Sequence, residues 1–128
     1  MKSLHNLLLL LTIIGLFSFG TSINDVVAAM KKGDAAGLSR YFDDVVQITM
    51  DGKSHAYSRG QAEMILKNFF ASRTVKGFTV EHQGSGGETE FCTGLLSTEQ
   101  QPFRISIFMK MRGERNVIQE LWVERKAR

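Results

Sequence analysis

Few side chains in this sequence could move a proton or grip a ligand, and they are scattered along it. A hydrolytic or dehydratase centre needs an imidazole within reach of an acid. Beyond residue 22 the only histidines are His55 and His82. His82 follows Glu81, but neighbours on a strand point to opposite faces. His55 falls in a short hairpin arm and faces solvent. Asp43 and Asp44 form an acid pair; the plainer reading is a helix-to-strand turn with solvated carboxylates. Tyr41, Asp44 and His82 are therefore the candidate acid or base groups. Tyr41 and Trp122 each join an apolar body to a polar tip, which suits a ligand cavity. With the adaptable side chains of Met64, Met109 and Met111 they make a candidate pocket lining, although all could equally be ordinary packing. Two histidines and one cysteine without close spacing do not make a zinc site. The run Gly84–Gly87 lacks the Lys-Ser/Thr of a phosphate loop and does not open a helix, so it reads as a strand turn. No cofactor is expected.

Composition narrows the class. The chain has 128 residues, of which 43% are hydrophobic and 23% charged, which excludes a wholly disordered, collagen-like or coiled-coil protein. Sixteen basic and 13 acidic residues give a net charge of +3, too balanced to imply nucleic acid. A single cysteine excludes an internal disulfide framework.

The first segment reads as an export signal. Lys2 gives a positive start, and Leu7 to Phe19 carries no charge. That run is shorter than the roughly 20 residues a membrane span needs. Gly20, Thr21 and Ser22 supply the small side chains a signal peptidase prefers, so cleavage is expected near Ser22/Ile23. The division is residues 1–22 as signal peptide and 23–128 as one domain. No cysteine stands at the leader's end, so the product is expected to be periplasmic or secreted, not a lipoprotein, with no membrane span in the mature chain. Cys92 reads as a small buried hydrophobe.

The elements that must position these side chains follow from periodicity. Ile23, Val26, Val27 and Met30 share one face of a first helix ending at Gly33, with Asn24 or Ser22 as its cap. Asp34 caps a short second helix in which Ala35, Leu38 and Phe42 share a face. Val45–Met50 and Lys53–Tyr57 read as strands joined by Asp51-Gly52, a two-residue hairpin turn. Ser58 and Gln61 form a capping box for a third helix. Its buried stripe is Ala62, Ile65, Leu66 and Phe69. From Val75 the period is two, giving four further strands. Phe78, Val80 and His82 should share a face of the third strand, and Phe103, Ile105, Ile107, Met109 and Met111 a face of the fifth. The sixth, Val117–Glu124, is apolar on both faces, which suggests that both are covered. Helices followed by a long meander make an α+β fold, with three helices on one face of a curved, mainly antiparallel sheet of about six strands. The other face is either partly solvated or pairs with a second subunit.

The segments Ile23–Ile48 and Ser58–Ser72 resemble the nuclear transport factor 2-like superfamily, also called the cystatin-like α+β cone. The matching positions are Ala28-Ala29, Gly33-Asp34, Leu38, Phe42 and Asp43-Asp44, then Gly60 through Phe69-Phe70. With its leader, the chain is most similar to a small exported bacterial group of unknown function. The resemblance implies a cone whose mouth often holds a small apolar ligand, in a superfamily of ketosteroid isomerases, polyketide cyclases, dehydratases and non-catalytic binders. The isomerase set does not carry over. Aligned on Gly33-Asp34, the catalytic tyrosine falls at Val26 and the basic aspartate at Thr49. The fifth strand has no acid.

Charge is also unevenly spread. Between Gly77 and Phe103 there are four acids and no lysine or arginine, while Arg104–Arg128 carries seven basic residues against three acids. Opposite charges would face each other across strands, or match a second subunit in a twofold dimer; the plainer reading is a solvated sheet face. Two functions remain. One is a non-enzymatic exported domain that binds a small apolar ligand or an envelope protein partner, with a homodimer through the sheet among the possibilities. The alternative is an enzyme of the cyclase, dehydratase or isomerase-like type using a non-standard acid–base set.

Overall fold

The computed structural model describes residues 21–126, and all of the expected leader except Thr21 and Ser22 lies outside them. The chain runs α1 (Thr21–Lys32), α2 (Ala35–Ser39), β1 (Phe42–Met50), β2 (Lys53–Ser58), α3 (Arg59–Ala71), β3 (Val75–Gly86), β4 (Thr89–Thr98), β5 (Phe103–Arg112) and β6 (Arg115–Arg125). The six strands form one sheet in the order β2-β1-β6-β5-β4-β3. Every pairing is antiparallel except β1 with β6. The class is α+β, three helices on an open, curved sheet, as the sequence leads one to expect. No described helix is long and apolar enough to cross a membrane.

Local signals explain where the elements begin and end. The Asp34 carboxylate accepts from the Gly37 N–H at 3.0 Å and caps α2. Ser58 Oγ accepts from Gln61 N at 3.3 Å while Ser58 N donates to Gln61 Oε1 at 3.1 Å, so both halves of the capping box at α3 are made. Asp51 and Gly52 take φ of 51° and 77°, the left-handed pair that a two-residue hairpin turn requires.

Four expectations need correction. Ser22 and Asn24 lie inside α1, so neither caps its start. Phe42 is the first residue of β1, three residues earlier than expected, and enters the core from the sheet. In β3 a register shift between Val80 and His82 inserts one residue, so that His82 opposes Thr93 and leaves the face of Phe78 and Val80. In β6 a second shift, at Gln119, separates Ile118 from Trp122 and sets Leu121 and Val123 on the face of Ile118. Ile118, Leu121 and Val123 turn inward and are buried, while Trp122 turns outward and stays 38% exposed.

The helices cover the concave face. Val26 and Met30 of α1, Leu38 of α2, and Leu66, Phe69 and Phe70 of α3 meet Ile48, Cys92, Leu96, Ile105, Ile107, Met109 and Leu121 in a single buried cluster. Ala62 and Leu66 of the expected α3 stripe are fully inside, and Ile65 lies at its edge.

Candidate functional site

The expected site residues go to separate places. The Tyr41 hydroxyl donates to Asp25 Oδ2 at 2.6 Å, tying the turn before β1 to α1. That bond to a carboxylate, then burial, pushes the phenol above its ordinary range and commits its proton to Asp25. Asp44 is solvent-exposed and pairs with Arg59 at 3.3 Å. His82 is exposed on the opposite sheet face from Val80, and His55 is exposed in β2. Met64 is 53% exposed on α3, Met109 is buried in the core, and Trp122 is on the convex face. These residues do not line one cavity. Val26 is core, and Thr49 Oγ1 donates to Ser54 Oγ at 3.1 Å, on the side of the sheet away from the helices. Asp43, read as half of a solvated pair, is buried. It takes Arg112 Nη1 at 2.6 Å, Asp44 N at 2.8 Å and Gln119 Nε2 at 3.4 Å. Among the described residues no three His, Cys, Asp or Glu side chains converge on one point.

What the sheet does assemble lies on its uncovered, convex face. Side chains in register form rows across the strands. One row runs Ser54, Thr49, Trp122, Ser106, Thr93, His82, and the next Ala56, Gln47, Glu120, Phe108, Phe91, Gly84. Phe91 and Phe108 are directly opposed, and each is 40% exposed. Trp122 Nε1 donates to Glu120 Oε1 at 2.6 Å, which holds the indole beside them. Gly84 makes room for the first ring: a Cβ there would stand 2.6 Å from Phe91 Cε1. The result is an aromatic platform bordered by hydroxyls. Thr93 Oγ1 donates to Ser106 Oγ at 3.3 Å within that border. A cleft of about 350 Å³ opens at the platform's edge between Phe91, Phe108, Lys110 and Glu120.

Comparison with known proteins places this geometry. A model of a domain of unknown function, DUF4783, matches residues 23–124. The chain belongs to the DUF4783 family. It is similar to a crystal structure of a DUF4783 family protein from Bacteroides ovatus, with 30% identity over 81% of this chain and 94% of that one, at a TM-score of 0.80. A DUF4783 protein from Bacteroides fragilis has 32% identity over 80% of this chain and 96% of that one, at a TM-score of 0.77. A nuclear transport factor 2-like protein of unknown function from Silicibacter pomeroyi, 14% identical over 90% of this chain and 98% of that one, has a TM-score of 0.59 and shows the fold alone. No curated protein matches the chain. The resemblance to the nuclear transport factor 2-like superfamily is thus confirmed at the level of fold.

On this DUF4783 chain the sequence reading missed Phe91 and Phe108. The signal was present: both stand out of phase with the buried alternation of their strands, Cys92 and Leu96 in one, Ile105, Ile107 and Met109 in the other. A residue large, apolar and out of phase on a one-sided sheet must face outward. A second group was missed too. At one end of the concave face the apolar rows give way to Gln83, Ser85, Glu90 and Asn116. Asn116 Nδ2 donates to Glu90 Oε1 at 3.2 Å.

Proposed function

We propose that this DUF4783 chain is an exported, non-catalytic domain that works by docking through the convex face of its sheet, and that its partner there is a second copy of itself. The carrying observation is the platform of Phe91, Phe108 and Trp122, exposed by 38–40% on three adjacent strands. A contiguous apolar patch rimmed by polar groups suits a protein-docking surface.

Size and charge favour a twofold pair. Six strands about 4.8 Å apart and about 30 Å long present roughly 700 Å², close to the ~800 Å² per partner of a stable interface. A twofold axis along the seam of β5 and β6 lays β5 of each copy over β6 of the other. Arg104 opposes Glu124 within the chain, so the same axis sets each Arg104 over the other copy's Glu124. It also sets each Trp122 over the other copy's Ser106, a large side chain over a small one, and each Phe108 over the other copy's Glu120, which Trp122 Nε1 holds. The interior offers less to a small apolar ligand, because helix and sheet side chains form one buried cluster over the apolar part of the concave face. Acid–base chemistry finds little support, since Tyr41, Asp44 and His82 occupy three different surroundings. Export rests on Lys2 and the uncharged run from Leu7 to Phe19.

Trp122 is the only tryptophan, so its emission reports this face directly. Sedimentation of the purified protein should give a dimer at micromolar concentration, with Trp122 emission moving to longer wavelength on dilution. Phe108→Glu should yield a monomer of unchanged circular dichroism. A wild-type monomer at about 100 μM, or a Phe108→Glu dimer, refutes the docking reading. Terminal sequencing of protein from the native envelope should begin near Ile23; an intact Met1 refutes export processing.

A further inference from the structure

We propose that the polar end of the concave face, beneath the first turns of α1, is a binding site for a small primary alkylammonium ion. Of its lining, only Gly84 and Glu90 also border the docking face. A groove of about 500 Å³ is lined by Ile23, Asn24, Gln83, Gly84, Ser85 and Glu90. That volume lies within the ~300–1,000 Å³ range of small-molecule sites.

The register explains why the groove is polar. Gln83 is opposite the buried Cys92 and Ser85 is opposite Glu90, so all four lie on the helix-covered face of the sheet. Farther in, that face is wholly apolar; here it carries two amides, a hydroxyl and a carboxylate, counting Asn24 from α1. Glu90 is the only ionised group in the lining. It is partly buried, and the three described salt bridges do not include it. Its one described hydrogen bond comes from the neutral Asn116 amide, which orients the carboxylate without neutralising it. The Asn116 Oδ1 atom on the same amide is buried with no donor in reach. A partly desolvated carboxylate whose described side-chain partner is neutral gains most from a charged donor.

The class of ligand follows by elimination. Anions are repelled: the whole stretch from Gly77 to Phe103 holds four acids and no lysine or arginine. A hard divalent cation takes several oxyanion ligands, and among the described residues no cluster of three acids, histidines or cysteines exists to supply them. An ammonium carries one charge and three donors, which matches one carboxylate flanked by neutral acceptors. Ile23 provides an apolar wall for a short alkyl chain. The lining has no aromatic side chain to cover a quaternary ammonium, so the geometry points to a primary amine.

The test is a titration of the isotope-labelled protein with butylammonium chloride, followed by amide NMR shifts, with sodium butyrate and butanol at matched ionic strength as comparisons. Butylammonium should give saturable shifts centred on Asn24, Gln83–Ser85, Glu90 and Asn116, and the other two should not. Glu90→Gln keeps an acceptor for Asn116 but removes the charge, and should weaken binding roughly tenfold or more. Gln83→Lys places a competing ammonium in the groove from an exposed position and should block binding with the spectrum otherwise intact. Absence of saturable shifts, equal binding of butyrate or butanol, shifts centred elsewhere, or undiminished affinity in either variant overturns the proposal.

Discussion

Asp43 offers the sharpest test of how the sheet is held at its parallel junction. Its carboxylate is buried where β1 leaves Phe42, between Gln119 at the β6 bulge and Arg112 at the end of β5. Consider Asp43→Ala. The 2.8 Å bond from the Asp44 N–H is lost, worth about 1 kcal/mol net. The 3.4 Å bond from Gln119 is long and adds a fraction of that. Arg112 is mostly solvated and regains water, so its contribution is small. The loss at neutral pH should be about 1–2 kcal/mol, or roughly 5–10 °C in Tm for a domain this size. Burial pushes this carboxyl's pKa up, but the hydrogen bonds from Arg112, the Asp44 N–H and Gln119, with the Arg112 charge, outweigh it and hold it below the ordinary carboxylate range. A carboxyl lowered in the folded state stabilises fully above its unfolded pKa of about 3.9 and loses that contribution as pH falls through the folded value. The gap between wild type and Asp43→Ala should thus be full at about pH 7 and close as pH falls below the unfolded value and through the lowered folded one. Urea unfolding followed by circular dichroism at several pH values measures it. A neutral-pH difference below about 0.5 kcal/mol, or a gap that persists in acid, refutes the reasoning.

Three further outcomes follow from single contacts. Ser58→Ala removes half of the α3 capping box and should cost about 1 kcal/mol in chemical denaturation, with Thr restoring most of it. Arg73 stacks over Phe69 at 4.3 Å and Phe103 at 5.4 Å, so Arg73→Lys should lower stability by about 0.5–1 kcal/mol although charge is kept; an unchanged midpoint would show the stacking contributes nothing. Burial pushes the Cys92 thiol above its ordinary range, so an aromatic disulfide reagent should label it only at the rate of unfolding, and prompt labelling of native protein would contradict the buried position.

The parts of the fold that the sequence disclosed are those governed by short-range chemistry. A Ser-x-x-Gln box, an Asp-Gly turn and an Asp cap each act through atoms three or fewer residues apart, so the residue types suffice to place them. The alternation of Phe103, Ile105, Ile107 and Met109 likewise fixed one buried face, because a strand's period is set by its own backbone. The sequence failed where the phase of a strand depends on its neighbour. His82 moved to the other face, and Trp122 parted from the face of Ile118, because of bulges that exist only against β4 and β5. Phe42 was assigned to a helix because its spacing from Leu38 fits one, whereas pairing with Ile118 draws it into the sheet.

The same reason explains why the expected site dissolved while two unforeseen ones formed. Tyr41, Met64, Met109 and Trp122 were grouped by side-chain character, which says nothing about which side of a sheet each one takes. One shifted residue at Gln119 is enough to send Trp122 outward while Leu121 and Val123 stay in the core. That outward turn gives Phe91 and Phe108 a neighbour and converts two stray rings into a platform. Glu90, one residue before Phe91, takes the opposite face by the same alternation and meets Asn116 at the polar end. The β4 strand thus sends consecutive residues to two surfaces of different chemistry. A substitution at Phe91 or Phe108 should therefore disturb self-association without touching amine binding, and Glu90→Gln should do the reverse. If instead each variant impaired both, the two faces would have to communicate through the sheet, and the separation argued from the register would be wrong.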